Sequence, residues 1–410
     1  MEFTLTAACN GDWRFEGRES VMLKVLLNGE YNQDIILFYG DRWLEYPRLL
    51  GFFEAGSYEA ELLFHEQSSP DARMASVKTV VVNLVDRDSE HGLVYRYTPL
   101  LYGRNIGHPT ESCYTDTPLI MFYTLERGDE QTVLEYQVIY SHEDEGTPAP
   151  MLMSKWGRLT DIEWTLRVVM DRDGRMISAT YQGPHHLTTE FRGGYALGGH
   201  PVMQAATTNG MVTDVPTSSY RLLLASVYHW NPAAEPRERV MDAFPFTYQM
   251  MAWEMERHSR LSELMTAGSG SESWQVTDLR HYLYVQTSKR TSDPTLQKAP
   301  CIDIRVKLKG SLTVYSSSFD DIRIGKFRAV YEGAYEWFST TVKLPEGTTM
   351  NDIEAIEAKL LSGGDQALTV SGLKAFMLTE DHLPGPAVES QDAILLTTDE
   401  PVGQLWQVLL

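Results

Sequence analysis

Asp161 and Glu163 sit two residues apart in the run Lys155-Trp-Gly-Arg-Leu-Thr-Asp-Ile-Glu-Trp-Thr-Leu-Arg-Val-Val-Met170. The run alternates like a strand, which puts both carboxylates on one face and Ile162 and Trp164 on the other. Two carboxylates on one face suit a divalent cation, a polar ligand, or a general acid and base. Imidazoles follow at His185, His186 and His200, with Asp171-Arg172-Asp173-Gly174 between. Nowhere else does the chain gather groups able to hold a metal or move a proton. The competing expectation is a solvated face opposite a core of Ile162, Trp164, Leu166 and Val168.

Roles follow from residue type. Asp161, Glu163 and His185 are the candidates for acid–base catalysis. Asp161 and Glu163 are also the candidate ligands of calcium or magnesium. Arg158, Trp156, Tyr181 and His200 are the candidate ligand contacts. His185 and His186 flank a Gly-Pro turn, and adjacent strand residues point opposite ways, so at most one joins the site. His200 precedes Pro201 and is expected to be extended, with a hydrogen-bonded ring as the alternative to a site role. Asp171-Arg172-Asp173-Gly174-Arg175 breaks calcium-loop spacing and reads as a hairpin turn. The acidic stretch His142-Glu143-Asp144-Glu145-Gly146 reads as a solvated turn. No Gly-Xaa-Ser-Xaa-Gly elbow, phosphate-binding glycine loop, His-Glu-Xaa-Xaa-His or Cys-Xaa-Xaa-Cys occurs. Trp156, Trp164, Tyr181, Tyr195, Tyr331, Tyr335 and Trp337 offer faces for sugar, though core packing is the usual use of such rings.

Gly157-Arg158-Leu159-Thr160-Asp161-Ile162-Glu163 resembles the Gly-His-Arg-His-Asp-Trp-Glu heptapeptide of the necrosis-inducing cytolysins and the distant vacuolar-sorting-related proteins. Gly183-Pro184-His185-His186 stands where those proteins often carry another His, and Gly199-His200-Pro201-Val202 resembles a His-Pro-apolar segment of the vacuolar-sorting relatives. The resemblance implies a β-sandwich in which Asp161 and Glu163 hold a divalent cation used in glycolipid recognition. Arg158 and Thr160 replace both His residues of the heptapeptide, and Ile162 replaces its Trp. Arg158 is then a partner for one of the carboxylates.

The elements that must position these groups are strands. Val21 to Leu27, Ile35 to Tyr39 and Val77 to Val85 are apolar or β-branched runs, with Asn28-Gly29 as a turn. Glu54-Ala55-Gly56-Ser57-Tyr58 resembles the tyrosine corner of immunoglobulin-like sandwiches. Further strands are expected at Leu119 to Leu125, Thr132 to Tyr140, Ile162 to Met170 and Met176 to Gln182, with Leu222 to Tyr228 closing the sheet. One helical zone follows, from Ala234 to Phe244 and from Thr247 to Met265, interrupted by Pro245. Ala267-Gly268-Ser269-Gly270-Ser271-Glu272-Ser273 reads as a flexible linker. Strands resume at Tyr282 to Thr287, Ile302 to Leu308, Ser311 to Tyr315, Phe338 to Leu344 and Leu373 to Leu378, while Asn351 to Leu361 suits helix or strand. Glu336 to Pro345 with Asp352-Ile353 resembles the jelly-roll modules of carbohydrate-active proteins. The expected fold is mainly β and multi-domain: an immunoglobulin-like sandwich over 1–92, a central sandwich with the acidic motif and a C-terminal helix over 93–266, and a jelly-roll-like domain over 274–410.

A chain of 410 residues is too long for one core. It carries 35 basic and 56 acidic residues, a net charge of −21, which repels phosphate backbones and argues against nucleic acid as a partner. Cys9, Cys113 and Cys301 are scattered and imply no disulfide framework. No apolar run is long enough to span a membrane, and the first residues lack a leader pattern. A cytoplasmic protein is expected; a secreted one with its leader removed would read the same. Three functions are compatible with the sequence. The first is a protein that binds a small molecule or glycan, with a divalent-cation site in the central domain. The second is a hydrolase or cyclase acting on a small metabolite through Asp161, Glu163 and a His. The third is a structural or assembly protein. Oligomeric state is not legible.

Overall fold

Strands are the predominant regular structure and helices are few, as the β-branched and aromatic runs dictate. The computed structural model describes the chain apart from residues 67, 106–116, 144–146, 260–274, 292–300, 320–322, 325–326, 329, 332, 334, 362–366 and 409–410. The expected linker at 267–273 lies outside the described residues.

In chain order the first strands are Glu2–Cys9 (β1), Val21–Leu27 (β2), Glu30–Leu37 (β3), Leu44–Leu49 (β4), Ala60–Phe64 (β5) and Ala75–Asn83 (β6). Helix Glu90–Tyr97 (α1) follows, then Leu100–Tyr102 (β7), Pro118–Arg127 (β8), Thr132–Tyr140 (β9), helix Ala149–Trp156 (α2), Asp161–Met170 (β10) and Met176–Gly183 (β11). Next come Leu187–Glu190 (β12), Tyr195–Ala196 (β13), His200–Ala205 (β14), Val212–Thr213 (β15), Arg221–Leu222 (β16) and Ser226–His229 (β17). Helices Arg239–Ala243 (α3) and Phe246–Arg257 (α4) precede Tyr282–Thr291 (β18), Ile302–Leu308 (β19), Val314–Ser316 (β20), Arg323–Ile324 (β21) and Phe327–Arg328 (β22). The last strands are Trp337–Lys343 (β23), Ile353–Leu360 (β24), Leu368–Met377 (β25), Val388–Leu396 (β26) and Val402–Gln407 (β27).

The chain divides into two compact units. Unit 1 comprises Met1–Glu145 and Thr160–His229; unit 2 comprises Gly146–Leu159 and Trp230–Leu410. Unit 1 contains two three-stranded sheets, β4-β1-β6 and β3-β2-β5. It also holds the six-stranded sheet β12-β11-β10-β9-β8-β17 and the smaller sheet β13-β14-β7-β16, with β15 beside β14. The expected closing strand is broken in two: β16 joins the smaller sheet, and β17 closes the larger one by pairing parallel with β8. Unit 2 places sheet β23-β18-β25-β26 against sheet β20-β19-β24-β27. Leu283, Val285, Ile304, Val306, Ile356 and Val370, drawn from both sheets, form one buried cluster. This is the face-to-face packing of a β-sandwich.

The expected hairpin at Asp173-Gly174 is present. Asp171 accepts hydrogen bonds from the amides of Asp173 and Arg175, both at 2.9 Å, and Gly174 takes φ +73°. In the segment Glu54 to Tyr58, Tyr58 Oη donates to the Glu54 carbonyl at 3.0 Å. Asn351 to Leu361 resolves as β24 behind a single turn, where Thr349 and Asp352 form a reciprocal cap. The helical zone appears as α3 and α4, with Pro245 ending one and opening the other. The Met stripe of α4 is packing: Met250, Met251 and Met255 are all fully buried. Two short helices have no period-3.6 signal in the sequence. α1 is set by its cap, Ser89 accepting from Gly92 N at 3.0 Å, and α2 by Pro148 before it and left-handed Gly157 after it. Among the described residues no helix is long and apolar enough to cross a membrane.

Candidate functional site

The carboxylates do not sit where strict alternation puts them. Asp161 pairs with Tyr140 and Glu163 with Val138, but the register between β9 and β10 shifts at Thr165, so Leu166 pairs with Tyr136 and Val168 with Leu134. One inserted residue reverses the parity of everything beyond it. Asp161 and Glu163 therefore share a face with Leu166 and Val168, and with the fully buried Tyr136, Val138 and Tyr140. The expected solvated face opposite the core is corrected accordingly. Asp161 is only 1% exposed, at the end of a core face, and Glu163 is half-buried beside it. A carboxylate at that depth is tolerable only when hydrogen-bonded.

Three strand ends meet here: the C-terminus of β9, the N-terminus of β10 and the C-terminus of β11. Gln182, buried near the end of β11, is the connector. Its Nε2 lies 2.6 Å from Glu163 Oε2 and 2.7 Å from His186 Nδ1. An amide nitrogen donates both bonds, so His186 Nδ1 is the acceptor and its Nε2 carries the ring proton. Gln182 Oε1 is buried with no hydrogen-bond partner among the described residues. His185 and His186 both adopt left-handed backbone, φ +62° and +58°. Two consecutive non-glycine residues there cost about 1–2 kcal/mol each. Strain of this kind gathers at functional sites, and here it accompanies the His186–Gln182 bond.

The turn between β14 and β15 lies against the same corner. His186 N approaches Met211 Sδ at 3.4 Å, and Tyr140 Oη donates to the Gly210 carbonyl at 3.2 Å. Gly210 has φ +69°, and a Cβ there would lie 2.4 Å from the Tyr140 ring, so only glycine fits. Asn209 beside it is buried; its Oδ1 accepts from Thr207 at 2.5 Å, while its Nδ2 has no partner among the described residues. At the end of β9, His142 and Glu143 are 1% and 7% exposed. That corrects the expected solvated turn at its described residues. Burial follows from position: the turn continues a strand whose last four residues are buried on both faces.

Other candidates lie elsewhere. His185 is exposed and has no part in the Gln182 bond; His186 takes that place. Tyr181, one residue from Gln182 and so pointing the other way, donates to Asp214 at 3.4 Å. His200 is buried on β14. Its Nδ1 lies 2.9 Å from the Thr98 carbonyl and its ring stacks on Phe52 at 5.1 Å. Burial pushes its pKa down to about 4, outweighing the bond to Thr98. The heptapeptide itself is divided. Thr160 to Glu163 belong to unit 1, while Gly157 to Leu159 belong to unit 2. There Arg158 Nε forms a buried ion pair with Glu238 at 3.0 Å. Trp156, also of unit 2, packs against that unit's core, with the Lys155 ammonium 5.0 Å and the Arg158 guanidinium 5.6 Å from its ring. Among the described residues no group of three or more His, Cys, Asp or Glu side chains is placed to hold a metal ion.

Sequence reading placed His142 and Glu143 in a solvated turn and missed Gln182 and Asn209. Asn209-Gly210 is a recognisable turn dipeptide. Gln182 stands directly before the Gly-Pro-His-His turn, and nothing in its own type marked it.

No protein-family model matches the chain. No curated protein matches it. Two solved structures show a distant likeness, "NLPPya in complex with mannosamine" and "NLPPya in complex with glucosamine". They are 12% and 13% identical, each match covering 33% of this chain and 71% of the other, with a TM-score of 0.23. A superposition of that quality does not define a shared fold.

Proposed function

We propose that unit 1 binds a hydroxyl-rich small molecule or glycan at the end of its six-stranded sheet, where Asp161, Glu163, Gln182 and His186 meet. The observation that carries this reading is the Glu163–Gln182–His186 chain, built on a buried amide whose Oε1 is still to be satisfied. Carboxylate oxygens and amide groups offer paired acceptors and donors, the complement of vicinal hydroxyls. A buried amide acceptor left without a partner costs roughly 1–3 kcal/mol, which a ligand hydroxyl would recover.

Binding is favoured over acid–base catalysis by the same geometry. The amide separates Glu163 from His186, and an amide hydrogen-bonded to both does not readily pass a proton between them. Asp161 and Glu163 also supply the first oxygens of a hard-cation site. Calcium or magnesium bound there would be a further contact for ligand oxygens, given additional donors. For the scaffold, we read the β1–β6 sheets as immunoglobulin-like, on the Tyr58–Glu54 hydrogen bond, and the unit 2 sandwich as jelly-roll-like.

Titration calorimetry with monosaccharides and amino sugars, with and without calcium, tests the reading. Binding by the natural chain that is lost in both Gln182→Met and Asp161→Asn supports it. Equal binding by the variants, or none by any chain across the panel, overturns it.

A further inference from the structure

We infer that unit 2 holds a binding site of its own, using none of the unit 1 residues, for a small molecule with an apolar body and an ammonium head. Its place is one end of the sandwich, where β18 and β24 begin and β23 and β25 end. A cavity of about 600 Å³ lies there, bounded by the turn after β23 and the loop after β25. Ordinary ligand sites enclose roughly 300–1,000 Å³. Both walls are fixed by their own hydrogen bonds. In the turn, Thr348 N donates to the Pro345 carbonyl at 3.2 Å, and Thr349 and Asp352 cap one another. In the loop, Thr379 N donates to the Leu383 carbonyl at 2.8 Å and Gly385 N to the Met377 carbonyl at 2.9 Å. Gln249 Nε2 ties the Asp381 carbonyl of that loop to α4 at 2.7 Å. A ligand entering such a cavity does not have to order its walls.

The lining selects the ligand. Met350, Met377 and Leu378 supply apolar surface, and thioethers adapt to irregular apolar shapes. Among the described residues no Tyr, Trp or Phe lines the cavity, so it lacks the ring faces on which a sugar stacks. Arg280 is the only arginine or lysine of the lining, and its charge is already answered. Its Nε and Nη2 lie 3.0 and 2.6 Å from the two oxygens of Asp278. The carboxylates are not answered. Glu346 and Glu380 line the cavity, are exposed, and have no hydrogen bond or ion pair among the described residues. With Arg280 and Asp278 cancelling, an apolar cavity is left with two negative charges. An anion is repelled there and a neutral ligand leaves both carboxylates unused. An ammonium on an apolar body meets both features. The side-chain oxygens of Thr348 and Asn351, also on the lining, are further acceptors for its N–H groups.

Three probes share one body and differ in the head: phenethylamine, phenethyl alcohol and hydrocinnamate. Each is titrated to about 10 mM into the full chain carrying methyl-labelled methionine, followed by NMR. Met350→Leu and Met377→Leu assign the two methyl signals at the cavity. Phenethylamine should shift both saturably and bind about fivefold or more tighter than the alcohol, the worth of an exposed charge pair. Hydrocinnamate should bind weakest. Glu346→Gln with Glu380→Gln, both exposed and so safe for folding, should erase most of the preference for the amine. Failure of all three probes to move either methyl overturns the proposal, as does binding that leaves both methyls unmoved. Equal affinity for the three heads, preference for the carboxylate, or indifference to the double variant overturns it as well.

Discussion

Acid should loosen unit 1 through one imidazole. His200 is buried against Phe52, its Nδ1 on the Thr98 carbonyl, and its Nε2 has no hydrogen-bond partner among the described residues. Protonation would place a charge on that nitrogen with nothing to receive its proton. Burial accordingly lowers the pKa from 6.5 to about 4. The unfolded chain takes up the proton near pH 6.5, whereas the folded chain refuses it until about pH 4. Between those values the unfolded state binds more protons, so stability falls as pH falls. The contribution is complete above about pH 7, and about 2.5 kcal/mol of it is lost by about pH 4.5. Hydrogen exchange read on peptides covering β7 and β14 isolates the effect from unit 2. His200→Phe keeps the ring stack and removes the titration, so its opening free energy in those peptides should lack this component of the acid slope. If His200→Phe and the natural chain weaken in parallel between about pH 7.5 and about pH 4.5, the imidazole is not the cause.

Four further outcomes are expected. Arg158→Met should destabilise unit 2 by about 3–5 kcal/mol by stranding buried Glu238, and adding Glu238→Met should restore most of it, as a double-mutant melting series would show. Gly210→Ala should cost at least about 2 kcal/mol in a denaturant titration, because its Cβ has no room beside Tyr140 and its backbone is left-handed. Gln182→Met should cost about 1 kcal/mol of stability and weaken ligand binding at least about tenfold by calorimetry. Cys9 and Cys301 are buried free thiols, so a reductant should leave the melting temperature unchanged.

Much of the strand pattern was legible because a half-buried strand announces itself by composition. Thr132 to Tyr140 and Ile302 to Leu308 match β9 and β19 end to end. What failed was parity. The apolar and polar residues of β10 alternate on either side of Thr165, and nothing in a threonine says that it is the inserted residue. The bulge is fixed by pairing with β9, a neighbour in space whose register the local pattern does not carry. The same limit hid α1 and α2, which are eight residues each and held by caps rather than by an apolar stripe. The site was legible at its carboxylates, which are distinctive in type and spacing. It was not legible at Gln182 and Asn209, whose importance comes from what they reach.

The order in which the chain visits its two units constrains how it can be made and cut. Residues 146–159 leave unit 1 after β9, contribute α2 to unit 2, and return at β10. During synthesis α2 emerges long before β23, whose Thr340 and Thr341 hydroxyls bond to the Ser154 and Met153 carbonyls, both distances below 3 Å. Six of its eight side chains, Ala149 to Ser154, are buried in the finished protein and must wait uncovered or sheltered until some 180 more residues have been added. A gene severed at 229/230 would therefore not give two self-sufficient halves. The C-terminal piece would lack a helix, and the N-terminal piece would carry one with nowhere to lie. Supplying residues 146–159 as a separate peptide to the 230–410 fragment should restore its fold, making this loop the natural point at which to split the protein into a complementing pair.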